Sequence, residues 1–327
     1  MKKYEVLGIG NAVVDVISMT TDELINKMNI EKGVMQLVDW DRAEDLYLGM
    51  DNVIEEPGGA VANTIAGLGA LGVRTAFIGK VTDDRLGRNY AETMTKSGTY
   101  FVNHPVSEGI LPTSRSMIFV SPDGERSMNT YLGISAELGP EDIGRAIAQQ
   151  AEFIILEGYL FDKDKGKQAF RKLVRLCKKF GGKAGIAISD PICVERHRED
   201  FIEFIKNDLY YVIGNEDEIK ALSQVQELES ALRIISEICD LVVCTRAQYG
   251  ATVIMKGQRY DVPVKKIVPV DSTGAGDQFA AGFIYGLVNG YGIDKCCKFG
   301  GIAAGEVISH VGPRPKEDIL RLLKQEI

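Results

Sequence analysis

The sequence predicts an α/β protein, with a mainly parallel sheet sandwiched between helices and a small second β-sheet beside it. Three observations carry this reading. Short apolar runs alternate with amphipathic helical segments through the second half of the chain. No linker, low-complexity stretch or internal repeat divides the 327 residues, so one large α/β unit is expected over 1–327. The first half also holds strand-like pieces that do not fit the alternation.

Taken in order, YEVLGIG (4–10) reads as a strand, VANTIAGLGALG (61–72) as a helix and TAFIGKV (75–81) as a strand. FIILEG (153–158) is a strand ending in glycine. The segment from about 164 to 180 follows, with Phe170, Leu173, Val174 and Cys177 at helical spacing. AGIAIS (184–189) and LYYVIG (209–214) are further strands, a helix starts at Asn215, and a helix near 227–239 precedes the strand LVVCT (241–245). Such βαβ units cross over right-handedly. Sites in these sheets lie beyond the carboxyl ends of the strands, where Asp190, Asn215 and Thr245 fall. VMQLVDW (34–40) and RSMIFVSPDGERSMNTYLG (115–133) alternate like strands, with a hairpin turn at Pro122-Asp123-Gly124. Segments of about 12–55 and 98–133 are therefore expected to form the small sheet, as a lid.

Composition excludes several classes. Hydrophobic residues make up 45% and charged residues 26%, which is ordinary for a globular protein. The charge is 38 − 46 = −8 with no basic run, so neither nucleic acid nor an anionic membrane is an expected partner. The six cysteines form no CxxC pair, and the N-terminal apolar run is broken by Asn11 and Asp15, so a cytoplasmic protein with reduced thiols is expected. Nothing is apolar enough to span a membrane. Three scattered histidines argue against a histidine-based metal site.

Three glycine clusters compete as ligand loops. GLGALG (67–72) matches GxGxxG, but it follows a helix and precedes a strand, the reverse of a dinucleotide site; its glycines read as helix packing and a C-cap. GIGNAV (8–13) follows a strand and either presents Asn11 and Asp15 to a ligand or is a solvated turn. DSTGAGDQFAAGFIYGL (271–287) is different. A strand-like IVPV (267–270) leads into it, and Phe279, Phe283 and Leu287 mark a helix from about Ala275. Gly274, Ala275 and Gly276 then sit at a helix N-terminus, where free amides and the helix dipole hold an anion. Asp277 in the first turn either complements that dipole or takes a proton from a hydroxyl beside a bound phosphoryl group. The second role is the division of labour in phosphoryl transfer, and it needs no GxxxxGK[ST] loop, which is absent.

DSTGAGDQFAAGF resembles the C-terminal signature of the ribokinase/PfkB carbohydrate kinases. PGGAVANTIAGLGALG (57–72) is similar to their N-terminal glycine signature, FIGKVTDDRLG (77–87) to their GxxGxDxxG segment and GNEDE (214–218) to their NxxE motif. The resemblance implies a ribokinase-like three-layer fold, ATP as co-substrate and Mg²⁺. By it, Asp277 is the catalytic base, with Gly274, Ala275 and Gly276 stabilising the transferred group. Asn215 and Glu218 position magnesium and the triphosphate, Glu218 through water. Thr245, Arg246 and Gly250 correspond to the nucleotide segment TRGxxG, with Ala247 standing where glycine is usual. Asp271 corresponds to a ligand of the family's monovalent cation, K⁺.

GNAVVD (10–15), EGYLFD (157–162), SDPICVERHREDF (189–201) and EVISHVGPRP (306–315) further resemble adenosine kinases of the bacterial type. That implies an adenosine acceptor and a place in purine salvage, in a monomer or homodimer. Asn11, Asp15, Gly58, Gly59 and Asn63 would then line the ribose site. Leu37, Met128 and Tyr159 would wall a slot for the base, and Arg126 would reach the phosphates. Leu37 and Met128 also read as ordinary lid-core residues, and Arg126 as a solvated hairpin residue. The alternatives are another nucleoside such as inosine or guanosine, a free sugar such as ribose or fructose, and a catalytically silent nucleoside-binding homologue. Asp15 favours a nucleoside: a carboxylate suits a vicinal diol because it accepts two charge-assisted hydrogen bonds.

Overall fold

Uninterrupted apolar runs such as FIIL (153–156) and LVVC (241–244) satisfy both faces only where helices cover both sides of a sheet. The computed structural model, which describes residues 2–107 and 111–325, places them in that setting. The strands, in chain order, are β1 (Tyr4–Ile9), β2 (Val13–Met19), β3 (Met35–Leu37), β4 (Ile54–Gly58), β5 (Thr75–Ile78), β6 (Thr99–Phe101) and β7 (Ser114–Val120). They continue with β8 (Arg126–Tyr131), β9 (Ala151–Glu157), β10 (Lys183–Ala187), β11 (Tyr211–Asn215), β12 (Leu241–Thr245), β13 (Ala251–Met255) and β14 (Gln258–Val262).

The large sheet runs β14-β13-β12-β11-β10-β9-β1-β5-β6 and is parallel from β12 to β6. Only its β12-β13-β14 edge is antiparallel, joined at Lys256-Gly257, both at positive φ. Helices pack on both faces. The helix Asp164–Lys179 buries Phe170, Leu173, Val174 and Cys177, as the spacing predicts, with Asp164 in its first turn and Lys178 and Lys179 in its last to complement the dipole. The helix Ala60–Ala70 packs on the other face beside Ala275–Val288, which buries Phe279, Phe283 and Ile284.

The small sheet runs β3-β8-β7-β2-β4. Two expectations need correction here. Residues 98–133 do not all belong to it, because Thr99–Phe101 pairs in parallel with β5 at the edge of the large sheet, and the first segment runs on to Gly58. IVPV (267–270) forms no strand. Val268 and Val270 are exposed, and the stretch from Pro263 to Val270 runs along a cavity instead.

Candidate active site

The strand order of the large sheet reverses at β1, which has β5 on one side and β9 on the other. A crevice opens at the carboxyl end of such a switch point. Here it is framed by a buried carboxylate. Glu157, the last residue of β9, accepts from the Asn11 amide N–H (3.0 Å), from Asn11 Nδ2 (2.8 Å) and from the Val61 N–H (3.1 Å). It fixes the turn after β1 to the start of the helix Ala60–Ala70. The turn is not solvated: Asn11 is buried, and Ser135 Oγ donates to Asn11 Oδ1 (3.1 Å). Glu157 ends a strand and opens the segment EGYLFD, but no role for it follows from the sequence.

Two cavities flank the N-terminus of the helix Ala275–Val288, one of ≈ 680 Å³ and one of ≈ 570 Å³. Asp277 lines both, as do Ala60, Ser189 and Ser272. The sequence-predicted residues sort cleanly between them. Asn11, Asp15, Gly59, Asn63 and Tyr159 line the smaller cavity, and Leu37, Met128 and Arg126 close it from the small sheet. Asn215, Glu218, Thr245 and Gly250 line the larger one with Ala275 and Gly276. Ser189, held at φ +75, lies between them, a role the sequence did not assign it.

Asp15 projects from β2 and is buried. Gly58, which pairs with Val13 two residues along β2, is outside the cavity wall but needed behind it: a Cβ there would lie 2.3 Å from Asp15 Oδ2. Gly58→Ala is therefore expected to displace the Asp15 carboxylate. Steady-state kinetics should show a raised acceptor KM, with the KM for ATP unchanged.

At the helix N-terminus, Gly274 is the N-cap in left-handed conformation, and a Cβ there would meet the Pro313 carbonyl at 2.5 Å. The Ala275 N–H donates to Ser272 O (3.2 Å), so its amide is engaged in the turn. First-turn amides of a helix have no intrahelical acceptor, and those of Gly276 and Asp277 are the ones left to meet an anion. Asn63 Nδ2 donates to Asp277 Oδ2 (3.1 Å), and Thr64 Oγ1 donates to the Asp277 carbonyl (3.1 Å).

NxxE is first of all a capping box. Asn215 Oδ1 accepts from the Glu218 N–H (2.9 Å), and Glu218 accepts from Asn215 N–H (3.0 Å) and Nδ2 (2.7 Å). Arg246 turns away from the cavity to Glu216 (2.7 Å). Ala247, in the family's glycine position, is held at φ +45, so the loop keeps the left-handed geometry that glycine would give. Asp271 does not stand ready for a monovalent cation. It accepts from the Thr273 N–H (3.0 Å) and the Gly312 N–H (2.9 Å) and is ion-paired with Arg126, so a guanidinium takes the place foreseen for K⁺. Arg126 is thus a bridge between the small sheet and the helix approach, not a solvated hairpin residue.

Desolvation, opposed by the Asn63 hydrogen bond, pushes the Asp277 carboxyl up from the ordinary 3.8 to about 7. Desolvation likewise raises Asp15 to about 7, against the nearby Arg126 and Arg314. Carboxyls raised by folding hold protons that the unfolded chain releases, so their contribution to stability is complete below about 4 and lost as pH rises through about 7. Asp277→Asn should therefore raise the unfolding midpoint at pH 8. The gap from the wild type should shrink as pH falls toward 5, as followed by thermal melts across that range.

Among the described residues no helix is long and apolar enough to cross a membrane. The sequence matches the pfkB family carbohydrate kinase description over residues 36–319. The chain belongs to the PfkB family of carbohydrate kinases. Its fold is the ribokinase-like one expected, and like other PfkB kinases it uses ATP as co-substrate. A structure described as a probable sugar kinase from Rhizobium etli is 39% identical, with TM-score 0.94 over 100% of this chain and 99% of that one. The adenosine kinase from Sinorhizobium meliloti is also 39% identical, with TM-score 0.94 over 99% and 100% of the two chains. A 5-dehydro-2-deoxygluconokinase from Halalkalibacterium halodurans is 26% identical over 262 residues, 77% of this chain and 79% of that protein.

Proposed function

We propose that this PfkB kinase transfers the γ-phosphoryl group of ATP to the 5′-hydroxyl of adenosine, giving AMP and ADP. One observation carries the reading: Asp277 stands where two cavities meet, with a helix N-terminus on one side and a buried carboxylate, Asp15, on the other. The larger cavity takes ATP and the smaller takes the nucleoside. Asp15 accepts from the two ribose hydroxyls, which accounts for a buried carboxylate with no side-chain donor among the described residues. Leu37, Met128 and Tyr159 give the base an apolar wall.

The hydroxyl oxygen attacks the γ-phosphorus as its proton passes to Asp277. The bond to the bridging oxygen breaks, and its electron pair leaves with ADP. The Gly276 and Asp277 amides and the helix dipole stabilise charge on the phosphoryl oxygens. The small sheet acts as a lid that excludes water. No group of three or more His, Cys, Asp or Glu among the described residues is arranged to cage a metal. This donor set suits Mg²⁺ brought in on the triphosphate, with Glu218 touching it through water, since Mg²⁺ commonly keeps its waters and uses one or two carboxylates. When bound, the ion neutralises charge on the phosphates.

A second reading, phosphorylation of a free sugar, is favoured by the 5-dehydro-2-deoxygluconokinase relative. ADP release measured with adenosine, inosine, guanosine, ribose, fructose, fructose phosphate and 5-dehydro-2-deoxygluconate separates the two. Adenosine should give the highest kcat/KM. A free sugar that outpaces every nucleoside would replace the adenosine assignment while keeping the kinase.

A further inference from the structure

The segment Gly312–Pro315 backs the helix N-terminus that carries Asp277. The Gly312 N–H donates to Asp271 Oδ2 (2.9 Å), and Gln278 Nε2 donates both to Pro313 O (3.1 Å) and to Asn63 O (3.1 Å). These bonds hold the backbones of residues 63, 278 and 313 together. Arg314 extends from this segment toward Asn63. Its hydrogen bonds among the described residues go to Asn63 Oδ1 (Nε, 3.2 Å) and to Met94 Sδ (Nη2, 3.3 Å), and none goes to a carboxylate. Its Nη1 is buried without a partner among those residues. A half-buried arginine whose buried Nη1 has an unmet donor, with no ion pair among the described residues, is costly to keep. Packing alone gives no reason for it.

Asn63 supplies one. Its amide oxygen and nitrogen are nearly equal in shape, so neighbours decide which way it faces. A guanidinium N–H can be met only by the oxygen. That leaves Nδ2 for Asp277 Oδ2, the contact observed. A flipped amide would set NH₂ against the guanidinium and C=O against the carboxylate, two repulsive contacts in place of two attractive ones.

We propose that Arg314 is a positioning residue for the base: through Asn63 it pins Asp277 Oδ2 and leaves Oδ1 as the oxygen that receives the acceptor proton. This rests on the reading of Asp277 as the base. Asp277 faces other carboxylates, Asp15 from β2, Glu157 from β9 and Glu218 from the helix after β11, so its ionised form leans on the Asn63 hydrogen bond that Arg314 orients.

The test uses the full chain with Arg314→Met, Arg314→Lys, Asn63→Ala and the Arg314→Met/Asn63→Ala pair, each followed by kcat, KM, the pH profile of kcat and thermal unfolding. Arg314→Met should lower kcat by about 10–100-fold with the KM of the acceptor within about threefold, and shift the acid limb to higher pH. Arg314→Lys keeps the charge without the planar donor and should recover only part of kcat. The double variant should be no slower than Asn63→Ala alone, because one route carries both effects. Losses that multiply in the double variant, or an Arg314→Met protein altered only in its melting, would overturn the proposal. If Arg314→Met does not fold, a wild-type kcat and acid limb in Arg314→Lys has the same force. Failure of the base reading looks different: Asp277→Asn then keeps near-normal turnover in the same assay.

Discussion

Asp277→Asn should lower kcat by a factor on the order of 10²–10⁴, the size of a general-base contribution, with the KM of the acceptor changed little. The substitution is isosteric and keeps an acceptor for Asn63 Nδ2, so the 3.1 Å contact and the helix start can survive. What is lost is the group that takes the proton. In the wild type, kcat should rise about tenfold per pH unit below about 7 and level off above it, because only the ionised carboxylate is a base and desolvation places its titration there. The variant should show no such limb. Single-turnover kinetics of both proteins at pH 6 to 9 checks the two statements together, and a variant within threefold of wild type would remove Asp277 from the chemistry.

Asp15→Ala should reduce kcat/KM for adenosine by a factor on the order of 10²–10⁴. Hydrogen bonds to a charged group contribute about 1.5–3 kcal/mol each, and two are lost at once. Most of the loss should appear in KM, because the ribose hydroxyls are held equally in ground and transition states. The wild type should discriminate strongly against 2′-deoxyadenosine, and the Asp15→Ala variant should not, since the partner of that hydroxyl is gone. Equal discrimination in both proteins, read from the ratio of kcat/KM values, would move Asp15 out of the ribose site.

Much of the site was legible because its residues sit at strand ends and helix starts, which local sequence specifies. The strand FIILEG, the helix from Asp164 and the glycine turn before Ala275 all follow from periodicity and from where glycine falls. NxxE was legible as a motif, but its capping-box geometry lies in the pairing of Asn215 with Glu218 around one helix turn. IVPV misled because apolar residues beside a ligand cavity have the same composition as a strand. The β13–β14 hairpin carried a signal in Lys256-Gly257, a pair at positive φ suited to a tight turn. Glu157 and Arg314 lie in segments with a visible resemblance, EGYLFD and EVISHVGPRP, but their contacts were out of reach. Each acts through a partner 96 or more positions away, such as Val61 or Asn63, and no local pattern encodes that contact.

The assignment of donor and acceptor sides is tested most directly by a crystal structure of the complex with adenosine and a non-hydrolysable ATP analogue. The account predicts the 5′-oxygen within about 2.6–3.2 Å of the Asp277 carboxylate, the ribose hydroxyls on Asp15 and the γ-phosphate at the Gly276 and Asp277 amides. Adenosine bound with its ribose away from Asp15, or a γ-phosphate held away from that helix start, would contradict it.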